Sequence, residues 1–210
     1  RQLKLDCDFC DLPYDLKIAT ITLTCQLNTL INVHIIGHYM ELNKNDIVCV
    51  EYGYDSIVRS LIPMKKTYKI KESDKKKKKE KNFQNQVSIK MMIRGDRFIH
   101  VKLFSNGAIQ LTGCKSVSNF VEVMNKLCKK LLTFKFAYDT VTHKTIKKVF
   151  VTNPNFIMVS KIKSLSIRMI NTSFHVGFMI DRVALYNELL QMNHTATFDS
   201  AYHAGVNLKY

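Results

Sequence analysis

The chain has 210 residues, 46% of them hydrophobic, with 32 Lys and Arg against 17 Asp and Glu, a formal net charge of +15. This length can bury a core, as one sizeable domain or two small ones, which argues against a disordered chain. No apolar run approaches the ~18–20 residues that span a bilayer, so we expect no membrane partner. The charge predicts a polyanionic partner, nucleic acid ahead of a membrane surface, although a merely solvated basic surface is the alternative.

The cysteine pattern gives little support for a metal site. Cys25, Cys49 and Cys128 sit in apolar periodic segments and are predicted to be small buried hydrophobes. Cys7 and Cys10 form a CxxC pair, but no second pair or clear HxxxH motif supplies the other ligands of a structural zinc. We predict reduced thiols, no metal and no cofactor.

The first ordered segment is a strand. Residues 18–27, IATITLTCQL, alternate strictly, with Ile21 and Leu23 on one side and Thr20 and Thr22 on the other. A merely solvated face would carry Lys and Glu. The threonine side is therefore predicted to contact a ligand.

A helix, a short strand and a basic stretch follow. Asn32 is positioned to cap a helix over 33–40, and 47–52 reads as a strand. The pattern dissolves over 59–82, which ends in a lysine run. This stretch is either an unconstrained flexible insertion or a loose phosphate contact.

Three further strands and a long helix form the best-defined part of the pattern. Segments 86–93, 97–104 and 108–113 are joined by short Gly-containing turns, which predicts an antiparallel meander. Ser116 caps a helix whose apolar positions follow i, i+3, i+4, i+7 spacing. That stripe comprises Val117, Phe120, Val121, Met124, Leu127, Cys128, Leu131 and Leu132. We expect it to cross the back of the meander in a two-layer α+β unit.

The opening order then repeats. A shift of 149 positions carries Ile18 onto Ile167, Ile21 onto Ile170, and the cap Asn32 onto Asp181. Strand and capped helix thus occur twice, as a pseudo-two-fold molecule requires. We predict a first repeat over 14–133 with the insertion 59–82, an inter-repeat segment over 134–163, and the start of a second, truncated repeat over 164–210.

No enzymatic motif stands out, so we predict a protein without catalytic residues. There is no Gly-rich phosphate loop with Lys-Ser/Thr, no GxSxG and no HExxH, and the carboxylates are few and scattered. What remains is a meander with polar and apolar residues on one face and helices on the other. Such a sheet suits the minor groove, whose edge is mostly acceptors and whose base steps admit apolar wedges.

At this point the residues resemble a family. LFSNGAIQLTGCKS, residues 103–116, resembles the segment of TATA-binding proteins that precedes their first long helix, with Phe, Gly, Thr-Gly, Lys and Ser in register. The duplication and the composition are most similar to the TATA-binding-protein-like factors of large nucleocytoplasmic DNA viruses. The resemblance implies an α+β saddle, a curved antiparallel sheet with helices on its convex face and two pseudo-repeats, the second incomplete in this chain.

The resemblance also implies site residues. Phe104 takes the place of a phenylalanine that wedges into a base step, with a core phenylalanine as the alternative, and Lys115 that of a phosphate-contacting lysine. Groove-facing positions fall at Thr20, Thr22, Thr112, Met169 and Asn171. Lys90 and Lys102 are phosphate contacts by position alone.

Two wedge positions stay ambiguous. The other first-repeat wedge falls at Phe83 or Gln84, and a second-repeat wedge at Tyr202 or His203. The Thr-Gly-x-Lys counterpart of the second repeat would follow Tyr210, so the sequence is interpreted as a fragment.

The implied function is that of a transcription initiation factor, not an enzyme. It would bind and bend double-stranded AT-rich promoter DNA as a monomer, and recruit IIB-like general factors and RNA polymerase. Its expected location is the host cytoplasm at a viral factory, the nucleus, or the virion. One alternative is an interaction module of a viral transcription complex with weak or no DNA binding. Another, an enzyme sharing the fold, would need ordered acidic side chains on the concave face.

Overall fold

A computed structural model describes residues 14–53, 56–63, 85–94 and 97–209. The chain divides into two compact units, one spanning Lys17–Ser173 and the other joining Phe174–Tyr210 to the segment that ends at Leu16. Phe83, Gln84, the CxxC pair and the lysine run lie outside the described residues. The units divide at different places from the predicted repeats, because the first strand of the second repeat pairs inside the larger unit.

The larger unit is built on a seven-stranded antiparallel sheet in the order β3-β2-β4-β5-β6-β1-β9. Its strands are β1 (Lys17–Gln26), β2 (Ile47–Tyr52), β3 (Ile57–Ser60), β4 (Gln86–Ile93), β5 (Arg97–Phe104), β6 (Ala108–Cys114) and β9 (Lys163–Ser173). The predicted meander and the strands near 18–27 and 47–52 are confirmed. Strand β3, at the entrance to the basic stretch, was not predicted.

Helices α1 (Val33–Tyr39) and α2 (Val117–Leu131) pack on the same side of this sheet. The Ser116 hydroxyl accepts a hydrogen bond from the Asn119 N–H, which confirms the predicted cap of α2. Asn32 stands at the start of α1 without capping it. Its side-chain amide instead donates to the carbonyl of Val149, 2.8 Å away, and so ties α1 to the inter-repeat segment.

The core lies between the sheet and the two helices. Alternate residues of β1, including Ile21, Leu23 and Cys25, face α2 residues such as Met124 and Leu127. Burial raises the pKa of the Cys25 thiol to about 12, so this cysteine stays protonated at neutral pH. The predicted burial of Cys25, Cys49 and Cys128 is confirmed.

The apolar stripe of α2 is only partly covered. Val117 and Val121 remain 74% and 41% exposed, whereas Val123, outside the predicted stripe, is fully buried. The N-terminal part of α2 borders a groove that Arg94 and Arg97 also line. Val117 and Val121 face this groove and therefore stay outside the core.

The inter-repeat segment is more ordered than its composition suggests. Strands β7 (Phe134–Asp139) and β8 (Lys144–Val149) form a separate hairpin. Two 3-10 turns follow, Pro154–Phe156 and Val159–Lys161. Between hairpin and turns, Phe150 and Val151 are buried in the core. The segment therefore belongs to the packed unit.

The smaller unit contains α3 (Arg182–Gln191) and a two-stranded sheet of β10 (Thr195–Thr197) and β11 (Asn207–Lys209). The Asp181 carboxylate accepts from the N–H groups of Val183 and Ala184, which confirms the predicted second cap. Among the helices described, none has the length and apolar content that crossing a membrane demands.

Gly37 permits a close approach between α1 and β2. A Cβ added at Gly37 would lie 2.8 Å from the Cβ of Tyr52, which is buried. We expect Gly37→Ala to lower the free energy of unfolding by about 1–3 kcal/mol through overpacking. Helix propensity alone predicts a gain of about 1 kcal/mol. Urea denaturation therefore tests whether Gly37→Ala lowers or raises the free energy of unfolding. A stabilised variant would contradict the close approach of Gly37 to Tyr52.

Candidate nucleic-acid interface

The side of the sheet opposite the helices, here called the polar face, carries a continuous row of side chains. Cross-strand pairing places Lys90, His100, Thr112, Thr22 and Met169 next to one another on five successive strands. Four of these five were predicted as site residues from the sequence. The row is basic at the β4 end and uncharged toward β9.

A pseudo-two-fold axis passes beside this row. Ile21 and Ile170, which the 149-residue shift makes equivalent, lie directly opposite each other in the β1–β9 ladder. On either side, Thr20 pairs with Asn171 and Thr22 pairs with Met169. This is the register that two equivalent antiparallel strands adopt around a dyad. The four predicted groove residues of β1 and β9 are thereby brought together.

A second row runs parallel to the first. Lys102, Gln110, Thr24 and Ser166 are paired in sequence across β5, β6, β1 and β9. The Arg168 Nε donates to the Thr24 hydroxyl over 2.9 Å, which leaves Thr24 partnered. Lys102 is exposed and has no ion-pair partner among the described residues.

Phe104 lies where β5 ends, on the polar face. It is half-buried, does not belong to the core, and stands opposite Gln86 on β4. The following turn requires glycine, since Gly107 has φ of +88° and a Cβ there would lie 2.4 Å from the carbonyl oxygen of Thr29. The Gly107 N–H donates to the Phe104 carbonyl over 2.9 Å and holds the strand end in place.

Two hydroxyls near the axis are unpaired. The Oγ1 atoms of Thr20 and Thr22 are shielded from solvent and have no hydrogen-bond partner. Thr22 is only 7% exposed. A buried hydroxyl without a partner costs about 1–3 kcal/mol. Either hydroxyl would have to turn about χ1 to another staggered position before it could donate to a ligand on the polar face.

Neighbouring charges act on Lys90 and His100, which form the basic end of the row. Lys90 forms an ion pair with Glu51, with 3.3 Å between Nζ and Oε1. Partial desolvation, then the charge of Lys90, lowers the pKa of His100 below its ordinary value of 6.5, with Glu51 opposing the shift. His100 is therefore neutral at pH 7.

Comparison with known proteins identifies a related viral protein. No family model matches the chain. A protein of Acanthamoeba polyphaga mimivirus named TATA-box-binding protein-like is 34% identical over 214 residues, covering 94% of this chain and 54% of the relative. The chain belongs to the TATA-box-binding-protein-like family. It spans about half the length of the curated relative it matches.

Membership in the TATA-box-binding-protein-like family agrees with the fold. The large antiparallel sheet with helices on one side is α+β, as predicted, and is that of a TATA-box-binding-protein-like domain. The predicted resemblance to giant-virus factors is confirmed by the mimiviral relative.

The remaining predicted site residues of this TATA-box-binding-protein-like chain are spread more widely. Lys115 is exposed in the connection from β6 to α2, where its backbone N–H donates to the Asn119 side chain. His203 belongs to the smaller unit, where its Nδ1 accepts from the Gly205 N–H. Within the described ranges, no group of three or more His, Cys, Asp or Glu could hold a metal.

Sequence reasoning missed three residues of the polar face in this TATA-box-binding-protein-like chain. His100, Gln86 and Glu51 were not among the predicted site residues. Strand alternation could have placed His100 beside Lys102 on one face. Glu51 is an acidic side chain on that face, but the charge of Lys90 in their ion pair balances its negative charge.

Proposed function

We propose that this chain is a non-enzymatic transcription factor that binds AT-rich duplex DNA in the minor groove through its polar face. The observation that carries the proposal is the row Thr112–Thr22–Met169 meeting the pseudo-two-fold axis beside Thr20 and Asn171. A duplex is itself nearly two-fold symmetric. A pair of strands related by a two-fold axis, with uncharged side chains beside that axis, therefore matches its groove.

The chemistry of the row suits that groove. Its floor at A·T pairs offers acceptors only, and threonine hydroxyls and an asparagine amide can donate to them without stranding a buried charge. Met169 is 47% exposed and supplies an apolar surface beside these donors. The unpaired hydroxyls of Thr20 and Thr22 support the proposal, because a ligand would supply their missing partners.

The basic residues around the row would contact phosphates. Lys102 and Lys115 are exposed, and Lys90 becomes available when its ion pair with Glu51 opens. Each neutralised phosphate releases counterions, and Phe104 would wedge into a base step where β5 ends. Further partners would be IIB-like general factors and an RNA polymerase, at a viral factory in the host cytoplasm, the nucleus or the virion.

Fluorescence anisotropy tests the proposal with labelled AT-rich and GC-rich duplexes of equal length. We expect tighter binding to the AT-rich duplex, and a loss of orders of magnitude in affinity between about 50 and 200 mM salt. Equal affinity for both duplexes would contradict minor-groove reading. No binding at either salt concentration would contradict DNA binding altogether.

The alternative function is a protein-interaction module with little DNA binding. It is favoured by Val117 and Val121, which border an open groove of about 960 Å³ between α2 and the β4–β5 end of the sheet. Arg94 and Arg97 line the same groove. The salt titration above distinguishes the two functions, since an adaptor should not bind duplex DNA at low salt.

Glu51→Gln is expected to strengthen duplex binding. Removing the carboxylate releases Lys90 for a phosphate and removes a negative charge from the polar face. The affinity at low salt should rise about threefold, and the slope of log affinity against log salt should steepen by up to about 0.9. Glu41→Gln is the matched control, because Glu41 pairs with Lys135 next to α1 instead. Equal effects of both substitutions would contradict a role for Lys90.

His100 is expected to make DNA binding tighten on acidification. Its pKa is lowered in the free protein, so it gains charge only below its ordinary range, and nearby phosphates favour that charge. Affinity should rise between about pH 7 and about pH 5.5 and stay flat in His100→Gln. Acidification also lowers the unfolding free energy, because the unfolded chain binds the proton first. A pH profile unchanged by His100→Gln would contradict this assignment.

A further inference from the structure

The β7–β8 hairpin has one face that the packed unit leaves uncovered. This outer face consists of alternate residues from both strands: Phe134, Phe136, Tyr138, Thr145, Lys147 and Val149. Phe136 and Tyr138 are 64% and 62% exposed. Exposed aromatic rings in a row are unusual on a solvated hairpin and indicate a binding surface.

The hairpin is held firmly from its other side. Lys135 forms an ion pair with Glu41 at 2.9 Å, and Lys148 lies over the ring of Tyr39 on α1. The Asn32 amide also holds the carbonyl of Val149. The aromatic row is therefore presented on a fixed support next to α1. Since α1 packs on the core side of the sheet, this surface is separate from the polar face.

The outer face carries a lysine beside its aromatic rings. Residues 134–149 contain four lysines and one aspartate, and of the four lysines Lys147 lies on this face. The Asp139 carboxylate is engaged by the hairpin turn, where it accepts from the backbone and hydroxyl of Thr142. Lys147 lies 4.1 Å above the Phe134 ring, which fixes its ammonium group beside the exposed rings. Neither Lys144 nor Lys147 has an ion-pair partner among the described residues.

We propose that the outer face of this hairpin binds single-stranded nucleic acid, with bases stacked on Phe136 and Tyr138 and the phosphate backbone contacted by Lys147. Alternate residues of a strand lie about 6.8 Å apart, twice the stacking distance of about 3.4 Å within a duplex strand. Rings at that spacing suit unstacked bases. Aromatic platforms beside lysines are the usual means of binding single strands without sequence preference.

The charge favours nucleic acid over a protein ligand. Lys147 lies among the exposed rings, and an apolar protein partner would leave its ammonium group desolvated. An acidic polypeptide is the competing ligand. The proposal rests on the hairpin alone and does not depend on duplex binding by the polar face.

A unique tryptophan provides the first test, because these 210 residues contain none. In Phe136→Trp, titration with a dT20 oligonucleotide should quench the indole emission saturably. A GC-rich hairpin duplex should leave the emission unchanged. Quenching or a spectral shift by polyglutamate and not by dT20 would overturn the proposal in favour of an acidic protein partner.

Alanine substitution provides the second test, measured by anisotropy on the full chain. Phe136→Ala with Tyr138→Ala should weaken dT20 binding by roughly tenfold per ring and leave duplex binding unchanged. The matched control is Tyr14→Ala with Phe178→Ala, which removes rings of the same types that are even more exposed and lie elsewhere. Wild-type dT20 affinity in the hairpin variant, or an equal loss in the control, would overturn the proposal. Failure of duplex binding with intact dT20 binding would count against the proposed function alone.

Discussion

Replacement of Phe104 by alanine is expected to remove most of the DNA bend and to weaken binding to an AT-rich duplex by tenfold or more. The ring projects from the end of β5 on the polar face, outside the core. A stacked aromatic side chain contributes about 1–3 kcal/mol to nucleic-acid binding, and a wedge is also what opens the base step. Energy transfer between dyes at the two duplex ends measures the bend, and anisotropy measures the affinity.

The control must separate a wedge from a packing role. Phe104→Leu keeps an apolar side chain of intermediate size and should retain most of the bend, since leucine can also wedge between base steps. A core role predicts that Phe104→Ala lowers the unfolding free energy by about 3–5 kcal/mol. A large loss of stability with an unchanged bend would therefore restore the alternative that Phe104 is a core residue.

Thr22→Val is expected to change stability and DNA binding in opposite directions. The Thr22 hydroxyl is buried without a partner, so removing it should raise the free energy of unfolding by about 1 kcal/mol. The same substitution removes a donor from the centre of the polar face. Duplex affinity should fall by roughly 3–10-fold, the value of one hydrogen bond. Urea denaturation and anisotropy on one preparation measure both effects.

Thr24→Val is the matched comparison for this prediction. Thr24 lies two residues along β1 on the same face, but its hydroxyl accepts from Arg168. Its removal should lower the free energy of unfolding, because the Arg168 donor loses its partner. If both valine variants shift stability in the same direction, the Thr22 hydroxyl is not buried without a hydrogen-bond partner.

The local elements of the larger unit could be predicted because their signals agree. Ser116 caps α2, the apolar spacing continues to Leu131, and glycine marks the turn after Phe104. The site residues of β1 were predicted from the family resemblance, and the repeat carried them to β9, since a shift of 149 makes Ile21 equivalent to Ile170, its partner in the ladder. What the sequence could not give was the neighbour relation across β4, β5 and β6, which depends on strand order and register.

Other features could not be predicted because their residues give weak or misleading sequence signals. The β7–β8 hairpin turns without glycine at its left-handed position, which is occupied by His143 with φ of +52°, and the Asp139 side chain stabilises the turn. Strand β3 lies beside a basic stretch that masks its short pattern. Val117 shows the limit of periodicity, because spacing predicts which side of a helix is apolar but not how far the sheet extends beneath it.

The pairing of Ile21 with Ile170 also has a consequence for the orientation in which the protein would bind DNA. The backbone around this pair is two-fold, but its side chains are not, since Thr20 faces Asn171 whereas Thr22 faces Met169. One flank of the axis leads to Lys90 and His100, and the other leads to the exposed edge of β9. A surface of this kind distinguishes left from right along a nearly palindromic ligand. The unequal side chains would give the bound protein a single orientation on the duplex, and so a defined direction along the DNA.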